Sequence, residues 1–143
     1  NTFYITGVQL ELGEQATPFE HRSYGDELQR CQRYLQVFVP DGQDYCSFAS
    51  AIGTSETNRF FCPITLSGAG MRTDPTLSFS SVGDFRTTNV FTNNHACTNI
   101  SMGYNNPKIP TLSVYSGGSG DSVSRMFGFG ANTSAYMRFD AEL

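Results

Sequence analysis

A chain of 143 residues with 38% apolar and 15% charged side chains has the size of one ordinary domain, and at that length folding buries roughly two-thirds of the unfolded surface. The formal charge of −4 argues against nucleic acid or another polyphosphate as partner, and no run approaches the ~18 apolar residues of a membrane span. Asn1-Thr-Phe-Tyr-Ile is not a positively charged targeting start; it reads as a strand already in progress, without an initiator Met, so the expectation is a segment of a longer polypeptide.

Residues 3–12 alternate as a strand does, with Val8, Leu10 and Leu12 on one side and Gln9 and Glu11 on the other. Gly13 and Pro18 then break the pattern, because glycine tolerates turns and proline forces Thr17 into extended geometry. A helix is predicted over 24–35. Ser23 is placed to cap its first turn, with Asp26 three positions on, and Tyr24, Leu28, Cys31 and Leu35 recur at four, three and four to line one face. That stripe has two readings: it docks on the sheet of its own chain, or Leu28, Cys31 and Leu35 pack against two other copies around a threefold axis.

From residue 34 onward every ordered stretch reads as strand. The candidates are 37–39, 45–52, 59–66, 76–82, 86–91, 96–104, 112–115, 125–129 and 135–143, separated by turns such as Pro40-Asp-Gly-Gln-Asp44 and Ser67-Gly-Ala-Gly70. Short strands at spacings of about eight to fifteen residues, with no second helix to cross over, predict an all-β protein. The expected architecture is an antiparallel β-sandwich, jelly-roll-like, with one short N-terminal amphipathic helix. The tripeptide Thr-Leu-Ser occurs at 65, 76 and 111 without a period, so no repeat architecture is implied.

The chemistry-bearing signals are sparse. Cys31, Cys46, Cys62 and Cys97 form no C-x-x-C pair and read as small buried hydrophobes rather than a zinc or disulfide framework. His95-Ala-Cys97 supplies two of the three or four ligands a zinc site needs, and the carboxylates of Asp41, Asp44 and Asp121 sit in glycine-rich turns without calcium-loop spacing. No metal or cofactor is expected. Gly117-Gly-Ser-Gly120 falls one residue short of a nucleophile elbow. Asp84, Asp121 and Asp140 would make a glycosidase pair only if folding gathered them in a cleft, so no catalytic residue is assigned. For binding, Tyr104 with Asn105 and Asn106, and Tyr115 before Ser-Gly-Gly, lie where strands meet loops and offer an aromatic platform with amides beside it for a sugar ring. The sequons at Asn99 and Asn132 read as chance.

Residues 7–34, Gly-Val-Gln-Leu-Glu-Leu-Gly-Glu-Gln-Ala-Thr-Pro-Phe-Glu-His-Arg-Ser-Tyr-Gly-Asp-Glu-Leu-Gln-Arg-Cys-Gln-Arg-Tyr, resemble a junction in phage tail-fibre and related virion proteins. There the last strand of a carbohydrate-binding-like sandwich runs through "ATPFEHRSY" into a helix carrying "CQRY" and then into a C-terminal β domain. Pro63-Ile-Thr-Leu, Met71-Arg-Thr-Asp-Pro-Thr-Leu-Ser78 and Met137-Arg-Phe-Asp-Ala-Glu-Leu143 look like the rest of that domain, while 84–130 carries little of the likeness. The resemblance implies three parts: 1–22 as the last strand and linker of an upstream β domain, 23–36 as a helix in trimer contact, and 37–143 as the terminal sandwich. It further implies a homotrimeric fibre tip displayed on a virion, joined to upstream fibre segments of the same polypeptide, attaching to a bacterial surface glycan and carrying no established catalytic residues. Two alternatives stand beside it: a trimerisation cap or virion decoration that binds no ligand, and a polysaccharide-degrading tail protein.

Overall fold

A computed structural model describes residues 2, 4–5, 8–15, 17–19, 21–89, 93–117 and 125–142. Helix α1 (Tyr24–Gln32) comes first, followed by nine strands: β1 (Leu35–Phe38), β2 (Ser47–Gly53), β3 (Arg59–Pro63), β4 (Thr76–Phe79), β5 (Phe85–Asn89), β6 (Asn93–Tyr104), β7 (Thr111–Ser116), β8 (Arg125–Phe129) and β9 (Met137–Asp140). The protein is all-β, as the turn spacing predicts: among the described residues every strand pairing is antiparallel and the one α-helix lies at the N-terminal side.

Two layers result. β1, β9 and β4 form a three-stranded sheet, and β2-β3-β7-β6-β5-β8 close on themselves as a barrel. The barrel keeps the character of a sandwich because two of its strands serve both faces. β2 pairs with β8 through Ser47–Ala51 and with β3 at Ile52 and Gly53, while β6 pairs with β5 through its first residues and with β7 from Cys97 to Tyr104. Such strands turn the corners between packed sheets, and the irregular registers at Ser47/Ala49 and Cys97/Asn99 mark where they bend.

The interior follows period-two alternation. Phe60 and Cys62 of β3, and Leu112, Val114 and Ser116 of β7, point inward and are buried. β9 and its flanks bury every second residue: Ala135, Met137, Phe139 and Ala141. Phenylalanines join the layers. Phe38 of β1 stacks on Phe48 of β2 at 5.4 Å, and Phe79 of β4 meets Phe85 of β5 edge-on at 5.8 Å. Inside the barrel Phe48 and Phe85 both touch Phe127 and Phe129 at 5.0–5.8 Å, in the offset and tilted geometries that aromatic quadrupoles favour. The small sheet therefore sits over the end of the barrel where β2 and β5 begin and β8 finishes. Gly128 is required there: a Cβ would run into the Cys46 carbonyl oxygen and lie 2.5 Å from the Ser47 Cα.

Two expectations for the N-terminal segment change. Residues 8–12 form no strand, and Leu10 and Leu12 are fully exposed; alternation makes a strand only where the backbone meets a hydrogen-bonding partner, and 8–12 pairs with no described strand. The helix stops at Gln32 instead of continuing to Leu35, which begins β1 opposite Asp140. The ladder to β9 claims the backbone from Leu35 onward, and Gln36, 7% exposed, seals the change of direction. Its amide donates to the Gln32 and Ser67 carbonyls at 3.0 and 3.2 Å and its oxygen accepts from Ser67 N–H at 2.8 Å.

Candidate functional site

The outward face of β3, β7 and β6 gathers the chemistry. The β2–β3 turn is built by Thr54, whose backbone N–H donates to the Arg59 carbonyl at 3.1 Å and whose hydroxyl accepts from Glu56 N–H at 3.1 Å. Asn58 takes the left-handed conformation at φ 63°, which asparagine tolerates better than most residues. This turn sets Glu56 beside the strand it introduces. Because Phe60 and Cys62 face inward, Arg59 and Phe61 face outward, and the register places Arg59 opposite Tyr115 and Phe61 opposite Ser113. On the other side of β7, Asn99 pairs with Tyr115, Ser101 with Ser113 and Tyr104 with Thr111.

The side chains on this face are joined into one strip. Arg59 donates from Nε to Ser113 Oγ at 2.9 Å and pairs with the Glu56 carboxylate, and its guanidinium lies 5.0 Å from the Phe61 ring centroid and 5.7 Å from that of Tyr115. The Tyr115 hydroxyl donates to the second Glu56 oxygen at 3.2 Å. At the other end Phe61 and Tyr104 meet at 5.8 Å with their rings tilted by 51°. Tyr104 is 67% exposed, so its ring area is not consumed by the fold. From Thr111, beside Tyr104, to Tyr115 is four residues, about 13 Å along the strand. The arrangement offers an aromatic ring at one end and an ion pair with a phenol at the other, with Asn99 and Ser101 exposed beside it.

The structure thus brings Tyr104 and Tyr115 to one face, whereas Asn105 and Asn106 are engaged in shaping the loop that follows. Asn105 Nδ2 donates to the Pro75 carbonyl at 3.0 Å, and Asn106 Oδ1 accepts from Lys108 and Ile109 N–H at 2.9 and 3.0 Å. Arg59, Phe61 and Glu56 are members that sequence reasoning did not single out. Their signal was Arg59 and Phe61 two apart in a strand, but the register that sets them beside the tyrosines is a tertiary fact. Of the proposed trimer residues, Leu28 is 42% exposed and Cys31 is exposed on α1, a helix with no buried residue, while Leu35 lies on β1.

The remaining candidates find their own partners. Asp84 accepts from Ser80 Oγ at 2.6 Å and Asn132 Nδ2 at 3.0 Å, and these bonds, the serine's foremost, hold its carboxyl below the ordinary range. Asp140 is held down likewise by Glu142 N–H and then by Arg138. Asp121 and the glycine-rich turn from 118 onward lie outside the described residues. Burial pushes the Cys62 thiol up strongly and that of Cys97 to about 12, so both stay protonated and neither acts as thiolate ligand or nucleophile at neutral pH. Among the described residues no three His, Cys, Asp or Glu side chains gather as metal ligands, and no helix is long and apolar enough to cross a membrane. Comparison with known proteins finds no matching family model, no matching curated protein and no matching solved structure.

Proposed function

We propose that this chain is a tail-fibre tip module of a virion that attaches to a bacterial surface by binding glycan on the outer face of β3, β7 and β6, and does so as a homotrimer. The observation that carries the reading is the exposed Tyr104 ring packed on Phe61, continuous with the Arg59–Glu56–Tyr115 group. An aromatic face of this kind matches the apolar face of a sugar ring, and an ion pair with a neighbouring phenol offers donors and acceptors to its hydroxyl groups. A strip on an open sheet face encloses little of a ligand, so affinity per copy is weak, and three coaxial copies would raise it through effective concentration on a repetitive surface. The virion assignment rests on the resemblance of residues 7–34.

The test is retention of the purified chain on intact candidate host cells and on their extracted polysaccharide, with new reducing ends scored in parallel. Tyr104→Ala is expected to weaken retention at least tenfold, a loss of about 1.4 kcal/mol, while leaving the melting temperature within about 2 °C because the ring is largely outside the core. Equal retention of both chains would remove this face from attachment. Chain shortening would put the degrading alternative first. A second reading, that of a trimerisation cap without ligand, is favoured by the wholly unburied α1, and absence of retention across a broad host panel would leave it standing.

A further inference from the structure

Helix α1 carries its charge on one side. Asp26, Gln29, Arg30 and Arg33 recur at three and four residues, the spacing that sets side chains on one helical face, while Tyr24, Leu28 and Cys31 fall on the other. With Arg22 and Ala69 they line a groove of about 470 Å³, a size typical of small-molecule sites. Its far wall is tied to the end of the helix at two points: Gln36 accepts from Ser67 N–H at 2.8 Å, and Arg72 N–H donates to the Arg33 carbonyl at 2.7 Å. Three guanidiniums and one carboxylate therefore share this groove, in a chain whose net charge is −4. Arg22 pairs with Glu27 at 3.4 Å, but among the described residues no carboxylate pairs with Arg30 or Arg33. The helix dipole favours cations in the last turn; it does not bring Arg22, which precedes the helix, to the same groove.

We propose that this groove binds an acidic sugar, a uronic acid unit of a polysaccharide, with its carboxylate held by Arg30 and Arg33. Guanidiniums grip carboxylates and phosphates alike through paired N–H donors, so the rest of the groove decides between them. Asp26, which accepts from the Ser23 hydroxyl at 2.7 Å, stands among the arginines. Its carboxylate repels a phosphate, which carries close to two charges at neutral pH, more than it repels a singly charged carboxylate. A uronic acid also brings hydroxyl groups, and these find acceptors in Asp26 and in the Gln29 side chain. The groove shares no residue with the outer face of β3, β7 and β6, and its occupation does not depend on whether that face binds glycan.

The test titrates the full chain with tetragalacturonate, with neutral maltotetraose and with inorganic phosphate at constant ionic strength, reading the arginine Nε–H resonances by NMR. Tetragalacturonate is expected to shift the Arg30 and Arg33 signals, and maltotetraose to leave them in place. Replacing both arginines, Arg30→Gln with Arg33→Gln, is expected to weaken tetragalacturonate binding about tenfold and to keep the melting temperature within about 2 °C, since both side chains are exposed. Tyr104→Ala is expected to leave this binding unchanged, which separates failure at the groove from failure at the outer face. No shift at either arginine, equal shifts with inorganic phosphate, or undiminished binding by the double variant would overturn the proposal. A double variant that dissociates a wild-type oligomer would give the groove to a second copy of the chain and overturn it as well.

Discussion

The barrel and the N-terminal segment spend similar residues in opposite ways. In the barrel Phe48, Phe85, Phe127 and Phe129 pack on one another, and apolar alternation is matched strand by strand to a closed interior. In the segment before β1, Leu10 and Leu12 alternate just as regularly and touch nothing in the core, and α1 buries no residue although Tyr24, Leu28 and Cys31 lie at helical spacing. Pattern creates a potential face; only a partner turns it into stability. The barrel finds that partner within the chain, and the described residues of the segment leave their apolar side chains exposed.

The sharpest way to break this contrast is inside the barrel. Phe127→Ala should cost about 4 kcal/mol, and Gly128→Ala about 3 kcal/mol through collision with the backbone at Cys46 and Ser47, both read by urea denaturation. At the seam between the regions, Gln36→Leu strands the Ser67 N–H and two carbonyls and should cost about 2 kcal/mol. Within the segment, Ser23→Ala removes the cap that accepts from Asp26 N–H at 3.2 Å and should cost α1 about 1 kcal/mol, visible as faster amide exchange at residues 24–27 with the barrel's protection intact. Leu28→Glu should change monomer stability by no more than about 0.5 kcal/mol yet shift sedimentation toward the monomer; an unchanged mass would remove α1 from the assembly.

The smallest effect concerns acid. Asp84 has its folded affinity for a proton lowered by Ser80 and Asn132, so its contribution is fully present above the ordinary value of 3.8 and is lost as pH falls through the lower folded value. Asp84→Asn should therefore lower neutral stability by that small contribution and flatten the acid limb of the stability curve below about pH 4, where variant and wild type converge.

The fold class was legible because strand signals are local. Glycine and proline turns and period-two alternation located all nine strands, with 125–129 placed to the residue. What the sequence hid was relational. Closure of the barrel depends on β2 and β6 each pairing with two neighbours, and no local signal marks a strand that changes partner midway. The end of α1 was hidden for the same reason, since Leu35 fits a helical stripe and yields only to the ladder offered by Asp140. At the candidate site Tyr104 and Tyr115 stood out as aromatics beside turns. Arg59 and Phe61 did not, because their importance lies in standing across β7 from those rings.

The position of β9 also governs the timing of folding. It lies between β1 and β4 and pairs with both across all four of its residues, so the three-stranded sheet joins Leu35–Phe38 to Thr76–Phe79 through Met137–Asp140. As the polypeptide emerges during synthesis, β1 must wait about a hundred residues for its strand partner among the described residues, a separation that slows folding and exposes unpaired edges meanwhile. A nascent chain stalled before residue 137 would hold β1 and β4 open to strands of neighbouring copies, and completion of the C-terminal strand is the step that closes that window.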